Sequence, residues 1–223
     1  MIPLGVLASS RVAPSSGGAT VIAHDVFNCG VSHTLAQHVT AGHPLVGSFV
    51  SSLAGNTRVD AAGQTMYFDS NSGYGVRVLA DAGSGAMRAE GRIVGQAYVG
   101  ATAQDRFYGL IVGAPAGGST NAIGAVSLVV TPAGIVYAAP ISSAWTPAGG
   151  VNNTRGTIPA EILDDFTVAM SVTGLDVAIA VNGAPFAAFA LAAPPPGTHA
   201  GAHISRVRWD TKVGYKRLKV EAL

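Results

Sequence analysis

The chain has 223 residues, a formal net charge of +1 and only 11% charged residues, where about 25% is usual. So sparse and balanced a charge excludes a disordered charged tail, a coiled coil and a histone-like nucleic-acid binder. Gly and Ala supply 67 of the 223 residues, but the Ala is dispersed among Gly, Pro, Thr, Val and Ser, which argues against long helices despite alanine's helix propensity.

Residues 1–19 differ from the rest. Pro3, Pro14, Ser15, Ser16, Gly17 and Gly18 interrupt any regular element, leaving an extended arm with an apolar tip of Ile2, Leu4, Val6 and Leu7. No basic residue precedes that apolar stretch, as a secretory signal would require. Two readings stay open: a disordered terminus, or an arm whose tip docks into a neighbouring subunit. From Thr20 onward, short apolar runs bounded by Gly, Asn, Pro or Asp read as strands. They fall at 20–27, 45–50, 64–69, 74–80, 86–99, 106–113, 123–131, 134–139, 165–173, 176–182, 185–191, 200–209 and 213–221. Phe166, Val168, Met170 and Val172 alternate with Thr167, Ala169 and Ser171, a period of two. Asn182-Gly183 then predicts a tight hairpin turn, because both residues tolerate positive φ. Helix is sparse: a turn or two at 158–164, with Pro159 first, and a short turn within 31–43. Pro194-Pro195-Pro196-Gly197 reads as a stiff polyproline-type connector. The pattern predicts an all-β chain of two packed antiparallel sheets over residues 20–223, with 1–19 as an arm. No window approaches 18 consecutive apolar residues, so no membrane insertion is expected.

No specific catalytic signature appears. Glu occurs at positions 90, 161 and 221 alone, and no E-x-D, D-x-E or E-x-E places two carboxylates on one face of a strand, as a sandwich glycosidase generally needs. Cross-strand pairing of distant carboxylates stays open. Neither G-x-S-x-G nor G-x-x-x-x-G-K-[ST] occurs. The one cysteine, Cys29, precludes an intrachain disulfide and fits cytosolic synthesis. His24, His33, His38 and His43 lie in one stretch, and His199 and His203 in another. A spacing of five suits neither a helix face nor a strand face, so these read as exposed loop histidines and no metal ligand is assigned. Asp69 and Asp81 could offer oxygen ligands, but no D-x-D-x-D loop supports a calcium site. Six of thirteen basic residues lie between 206 and 219, with Arg206 and Arg208 on one strand face. They read as a solvated basic face, or as an edge that meets an acidic partner or anionic glycan. Nucleic acid is not expected, since no aromatics interleave with them. Aromatic candidates for a sugar platform are Tyr67, Phe68, Tyr74, Tyr98, Phe107, Tyr108, Tyr137 and Trp145, of which Trp145 sits in a loop.

The opening Met1-Ile2-Pro3-Leu4-Gly5-Val6-Leu7-Ala8-Ser9 resembles the start of many minor tail proteins of phages infecting actinobacteria. Asp25-Val26-Phe27, Arg106 to Val112, Phe166 to Phe189 and Gly197 to Gly201 resemble segments of the concanavalin A-like (laminin G-like) jelly-roll domain found in such proteins. A tryptophan segment usual after the D-x-F strand is replaced here by Gly47-Ser48-Phe49-Val50, and the acidic motif of hydrolase members is missing. The resemblance implies an antiparallel two-sheet jelly roll with an N-terminal arm. It implies a non-enzymatic structural part of a virion tail, made in the host cytoplasm and needing no cofactor. Its implied partners are other virion structural proteins, further copies of itself in a homo-oligomer (a trimer suits a tail axis) and a cell-wall glycan. The alternatives are a lectin-like receptor-binding module and a head decoration or fibre protein. The residues assigned are Ile2, Leu4, Val6 and Leu7 for subunit docking, and Trp145, Tyr137, Arg206 and Arg208 for ligand binding.

Overall fold

The computed structural model describes residues 18–52, 56–68, 76–95, 107–116, 122–142, 153–205 and 214–223. The docking residues expected at Ile2, Leu4, Val6 and Leu7 lie outside them, as do Trp145, Arg206 and Arg208. The described strands are β1 (Thr20–Asp25), β2 (His33–Thr34), β3 (Val50–Ser51), β4 (Thr57–Asp60), β5 (Thr65–Phe68), β6 (Val76–Asp81), β7 (Met87–Val94) and β8 (Phe107–Ala114). They continue as β9 (Val126–Val130), β10 (Ile135–Pro140), β11 (Thr154–Thr157), β12 (Asp165–Thr173), β13 (Asp176–Val181), β14 (Ala184–Ala190), β15 (His199–Ser205) and β16 (Gly214–Ala222). A single α-helix, α1 (Leu35–Thr40), and a 3₁₀ turn at Ala160–Ile162 are the helical elements among these residues. No described helix is long and apolar enough to cross a membrane.

All pairings are antiparallel. A nine-stranded sheet runs β14-β13-β12-β7-β16-β5-β4-β2, with β1 on β16; a seven-stranded sheet runs β11-β10-β9-β8-β15-β6-β3. This is the expected jelly-roll sandwich. The alternation read in the sequence sorts the faces. Phe166, Val168, Met170 and Val172 of β12 point into the core with Val177 and Ile179 of β13. Tyr108, Leu110 and Val112 of β8 meet them from the opposite sheet, beside Val126, Leu128 and Val130 of β9. The β13–β14 hairpin turns at Asn182 (φ 49°) and Gly183 (φ 78°), as the dipeptide predicts. The proline connector lies across the rim of the seven-stranded sheet. Gly197 donates its N–H to the Gly113 carbonyl at 3.0 Å, and the ring of Pro195 occupies the space a side chain at Gly113 would need.

Hydrogen bonds also join the two sheets: Gly113 donates its N–H to Met87 Sδ at 3.2 Å, the Ser51 and Thr57 hydroxyls lie 2.6 Å apart, and Tyr215 bridges the core. An extra residue, Lys216, breaks the register of β16 against β7, so Tyr215 pairs with Ile93 and faces inward together with Leu218 and Val220. The Tyr215 ring crosses the sandwich over Gly91, where a Cβ would stand 3.1 Å from it. Its hydroxyl donates to the Gly109 carbonyl of β8 at 2.5 Å and accepts the Gly109 N–H at 3.0 Å. Burial pushes the phenol pKa well above its ordinary value, so the hydroxyl stays protonated and able to donate.

At one end of the sandwich the sheets also meet edge to edge. Arg155 of β11 stacks its guanidinium on the Phe189 ring of β14 at 3.7 Å, and donates Nε–H to the Ala138 carbonyl. Tyr215→Phe is expected to keep the fold but cost about 2–3 kcal/mol, because the Gly109 N–H and carbonyl then face an apolar ring. Urea unfolding with an unchanged denaturant slope checks this.

Candidate functional site

The two outer faces of the sandwich differ in kind. On the seven-stranded sheet, register aligns Tyr137, Val129, Gly109, His203 and Arg77 in one row across five strands. Arg77 (2% exposed), His203 (3%) and Ser127 (2%) are polar side chains that project away from the core and are nonetheless covered. Gly109 carries no side chain between them, and His203 Nδ1 reaches across it to the Ser127 hydroxyl at 2.6 Å. Burial, with the Arg77 charge alongside, lowers the His203 pKa from 6.5 to about 3. Tyr137, at the far end of the row, is half-buried and is the one predicted ligand residue within the described set.

The outer face of the nine-stranded sheet is open and charged. Glu90 lies under two guanidinium groups, with Arg88 Nη2 at 2.6 Å and Arg217 Nη2 at 2.7 Å. Glu221 has Lys219 Nζ at 3.0 Å and Arg88 Nε at 3.7 Å. Arg92 grips Asp165 with both Nε and Nη2, at 2.8 and 2.6 Å, and this pair holds the Asp165 carboxyl below its ordinary pKa and the Arg92 guanidinium above its own. The distant carboxylates Glu90 and Glu221 therefore do share a face, by cross-strand register, with Glu90 opposite Lys219 and Glu221 opposite Arg88. Beside them is a shallow hollow of about 230 Å³, lined by Arg88, Ala169, Ser171, Ala178, Ala180 and Pro185 among others.

Several expectations need correction here. Within the described part of the basic segment 206–219, β16 is not a free edge: it lies between β7 on one side and β5 and β1 on the other, and Arg217 and Lys219 are bound into the ion-pair lattice. Phe68 (0% exposed) and Tyr108 (1%) are core residues rather than sugar platforms. The histidines are not all exposed, since His38 is fully buried and His203 nearly so.

A third cluster forms where β1, β2 and α1 meet. Asp25 ends β1 with its carboxylate inside the protein; Oδ1 accepts the N–H of Phe27 at 2.7 Å, which helps hold Phe27 at φ 52°. Thr34 and Gln37 cap α1 reciprocally, so the helix starts at a fixed point after β2 and turns His38 inward. His38 Nε2 then stands 2.9 Å from Asp25 Oδ2, off the line of an ideal hydrogen bond, and neither atom has a hydrogen-bond partner elsewhere. On its other side, His38 Nδ1 lies 2.9 Å from His33 Nε2. The exposed His43 ring stacks on His38 at 4.9 Å between centroids. Cys29, buried, brings its sulfur into the same group: one donor atom each from Cys29, His33 and His38 lies within 4.8 Å of the others. Burial and the two neighbouring imidazoles lower the His33 pKa, while burial raises that of the Cys29 thiol. The spacing of five between His33 and His38 concealed this, because the two residues sit on different elements, a strand and a helix, that fold against each other.

No family model matches the chain, and no curated protein matches it. Solved structures do. The exoplasmic/lumenal domain of VIP36, in a Ca²⁺/Man2-bound form, is 11% identical with a TM-score of 0.53, covering 86% of this chain and 87% of that domain. SCLam, a non-specific endo-β-1,3(4)-glucanase of family GH16, is 11% identical with a TM-score of 0.51, covering 92% of this chain and 91% of the glucanase. Likeness at these identities shows a shared concanavalin A-like jelly-roll fold.

His203 sets a pH dependence. The unfolded chain protonates this histidine near pH 6.5, whereas the folded state keeps it neutral down to about pH 3. Between those values the unfolded state binds the extra proton, so each unit of acidification shifts the folding equilibrium up to tenfold toward unfolding. His203→Gln is expected to remove that slope, so that urea unfolding of the two proteins from pH 7 to pH 4 shows the variant losing less stability.

Proposed function

We propose that this chain is a non-enzymatic jelly-roll module of a phage tail, held by its N-terminal arm, that binds host cell-wall glycan on the open face of its nine-stranded sheet. The hollow beside Arg88 carries the binding part of this reading. Its floor of Ala169, Ala178, Ala180 and Pro185 offers the flat apolar patch that the C–H face of a sugar covers. Arg88 at its rim is fixed by Glu90 and Glu221, so its guanidinium is oriented before a ligand arrives. Ser171 adds a hydroxyl. A few placed polar groups over an apolar floor is the usual design of a ligand site. The neighbours also handle carbohydrate, one carrying Man2 and the other cleaving β-glucan, and this agrees with the reading.

Hydrolysis fits the same face less well. Glycosidases work with one carboxylic acid that donates a proton and one free carboxylate. Here Glu90 and Glu221 are each engaged by cations from two sides. The tail assignment is supported by the opening nine residues and by the Gly/Pro/Ser-rich segment that follows them.

A cell-wall glycan array probed with the whole chain is expected to show binding that falls at least tenfold in Arg88→Ala and persists in Trp145→Ala. Loss in Trp145→Ala alone would move the site to the segment around Trp145. Deleting residues 1–19 is expected to leave a folded domain, since the first described strand begins at Thr20, that no longer joins particles. Normal incorporation of the truncated protein would overturn the anchoring role.

A further inference from the structure

We propose that Cys29, His33 and His38 form a binding site for one zinc-type divalent cation, with Asp25 as the residue that orients His38. The site is independent of the glycan reading and lies in the corner built by β1, β2 and α1.

The donor set fits such an ion in kind and in spacing. Thiolate and imidazole are the ligands that zinc and its neighbours prefer, and carboxylate-rich cages for calcium or magnesium look different. Ligands placed tetrahedrally at zinc's usual bond lengths stand roughly 3.3–3.6 Å apart. The two ring nitrogens are 2.9 Å apart and the three donors fall within 4.8 Å of one another, so adjustments of about an ångström close them on one ion. His43, 5.5 Å from His33 between ring centroids, is the next donor outward, at the solvent side, where a cation would enter.

Asp25 supplies the second, independent sign of a ligand. It is fully buried, and its Oδ2 faces only His38 Nε2. A carboxylate there favours the tautomer with the proton on Nε2, which leaves the Nδ1 lone pair directed at His33 and Cys29. A carboxylate behind a ligating imidazole is the usual outer shell of a histidine-bound metal. Charge agrees as well: a divalent cation, one thiolate and the Asp25 carboxylate sum to zero in a corner where Asp25 and His38 are wholly shielded from water. Without a cation, two imidazole nitrogens face each other and must share one proton, and Asp25 Oδ2, unlike Oδ1 with its Phe27 N–H, has only an off-line imidazole opposite it.

The sequence form is Cys29-x₃-His33-x₄-His38, drawn from a loop, a strand and a helix. A cation held there would cross-link the loop after β1 to α1 and so staple the short β2 edge to the body of the sheet.

The test is cobalt titration of the whole reduced chain after chelator treatment. We expect one equivalent of Co²⁺ to give the intense visible bands of tetrahedral coordination and a thiolate-to-cobalt charge-transfer band, both displaced by one equivalent of Zn²⁺. Cys29→Ser should abolish the charge-transfer band. Half-buried His33→Ala, the change least able to disturb folding, should weaken Zn²⁺ at least tenfold. Asp25→Asn should keep the thiolate band and the one-to-one stoichiometry but weaken binding roughly 10- to 100-fold, as loss of an orienting residue does. A weak, octahedral, thiolate-free spectrum in the whole chain would overturn the site, and so would unchanged affinity in folded Cys29→Ser and His33→Ala.

Discussion

The hydroxyl of Tyr215 is the constraint from which much of this architecture follows. A sandwich of Val, Ile, Ala and Met is held mainly by area, and area does not specify how one sheet is placed over the other. The two hydrogen bonds between Tyr215 and Gly109 do, because both partners are buried and neither has water to turn to. They require glycine at 91 for the ring to pass and a bulge at Lys216 to turn the ring inward. The bulge has a second effect. It puts Arg217, Lys219 and Glu221 on the outer face opposite Arg92, Glu90 and Arg88, so the charged lattice and the core tie are set by the same inserted residue.

Much of the sheet was legible because its strands have two different faces. β12 and β13 alternate apolar and small or polar residues over their length, and the Asn-Gly turn between β13 and β14 has its own backbone signature. β2, β4 and β11 were not legible: Thr57-Arg58-Val59-Asp60 and Thr154-Arg155-Gly156-Thr157 are short and polar, and they become strands because a neighbour offers them a ladder. The short helix α1 was readable only as a turn, since its stability comes from a reciprocal cap of one turn's length and from Leu35 and His38 packing inward. Site residues were harder still. Periodicity reports which face of an element a residue occupies, not what the neighbouring chain lays over that face. Arg77 and His203 sit on an outward face and are buried there. Cross-strand register also escapes a linear reading, which is why Glu90 and Glu221 meet although 131 positions apart in a chain with no acidic motif.

The asymmetry of the two outer faces gives the molecule a division of labour. The face over Arg77 and His203 holds polar groups away from water, where a hydrogen bond is worth more and a lost partner costs more. That face suits precise internal support and makes acid a threat to the fold. The opposite face spreads its charge in alternating sign, with Arg88, Arg92 and Arg217 partly in water and the carboxylates of Glu90 and Glu221 largely buried beneath their cations.

The contact of Arg155 with Phe189 also closes a pair of sheet edges. Sheet edges invite another strand, and proteins that display many copies side by side run the risk of uncontrolled ladder growth. At this end, β14 and β11 lean on each other through a cation over a ring, with Phe186 filling the space beside Gly156. At the far end of each sheet, β2 and β3 are two residues long, too brief to template a ladder. Among the described residues, strand addition is therefore discouraged at these four margins, and β1, a fifth edge paired with β16 alone, has its outer side partly taken by the bridge of His24 to Val46.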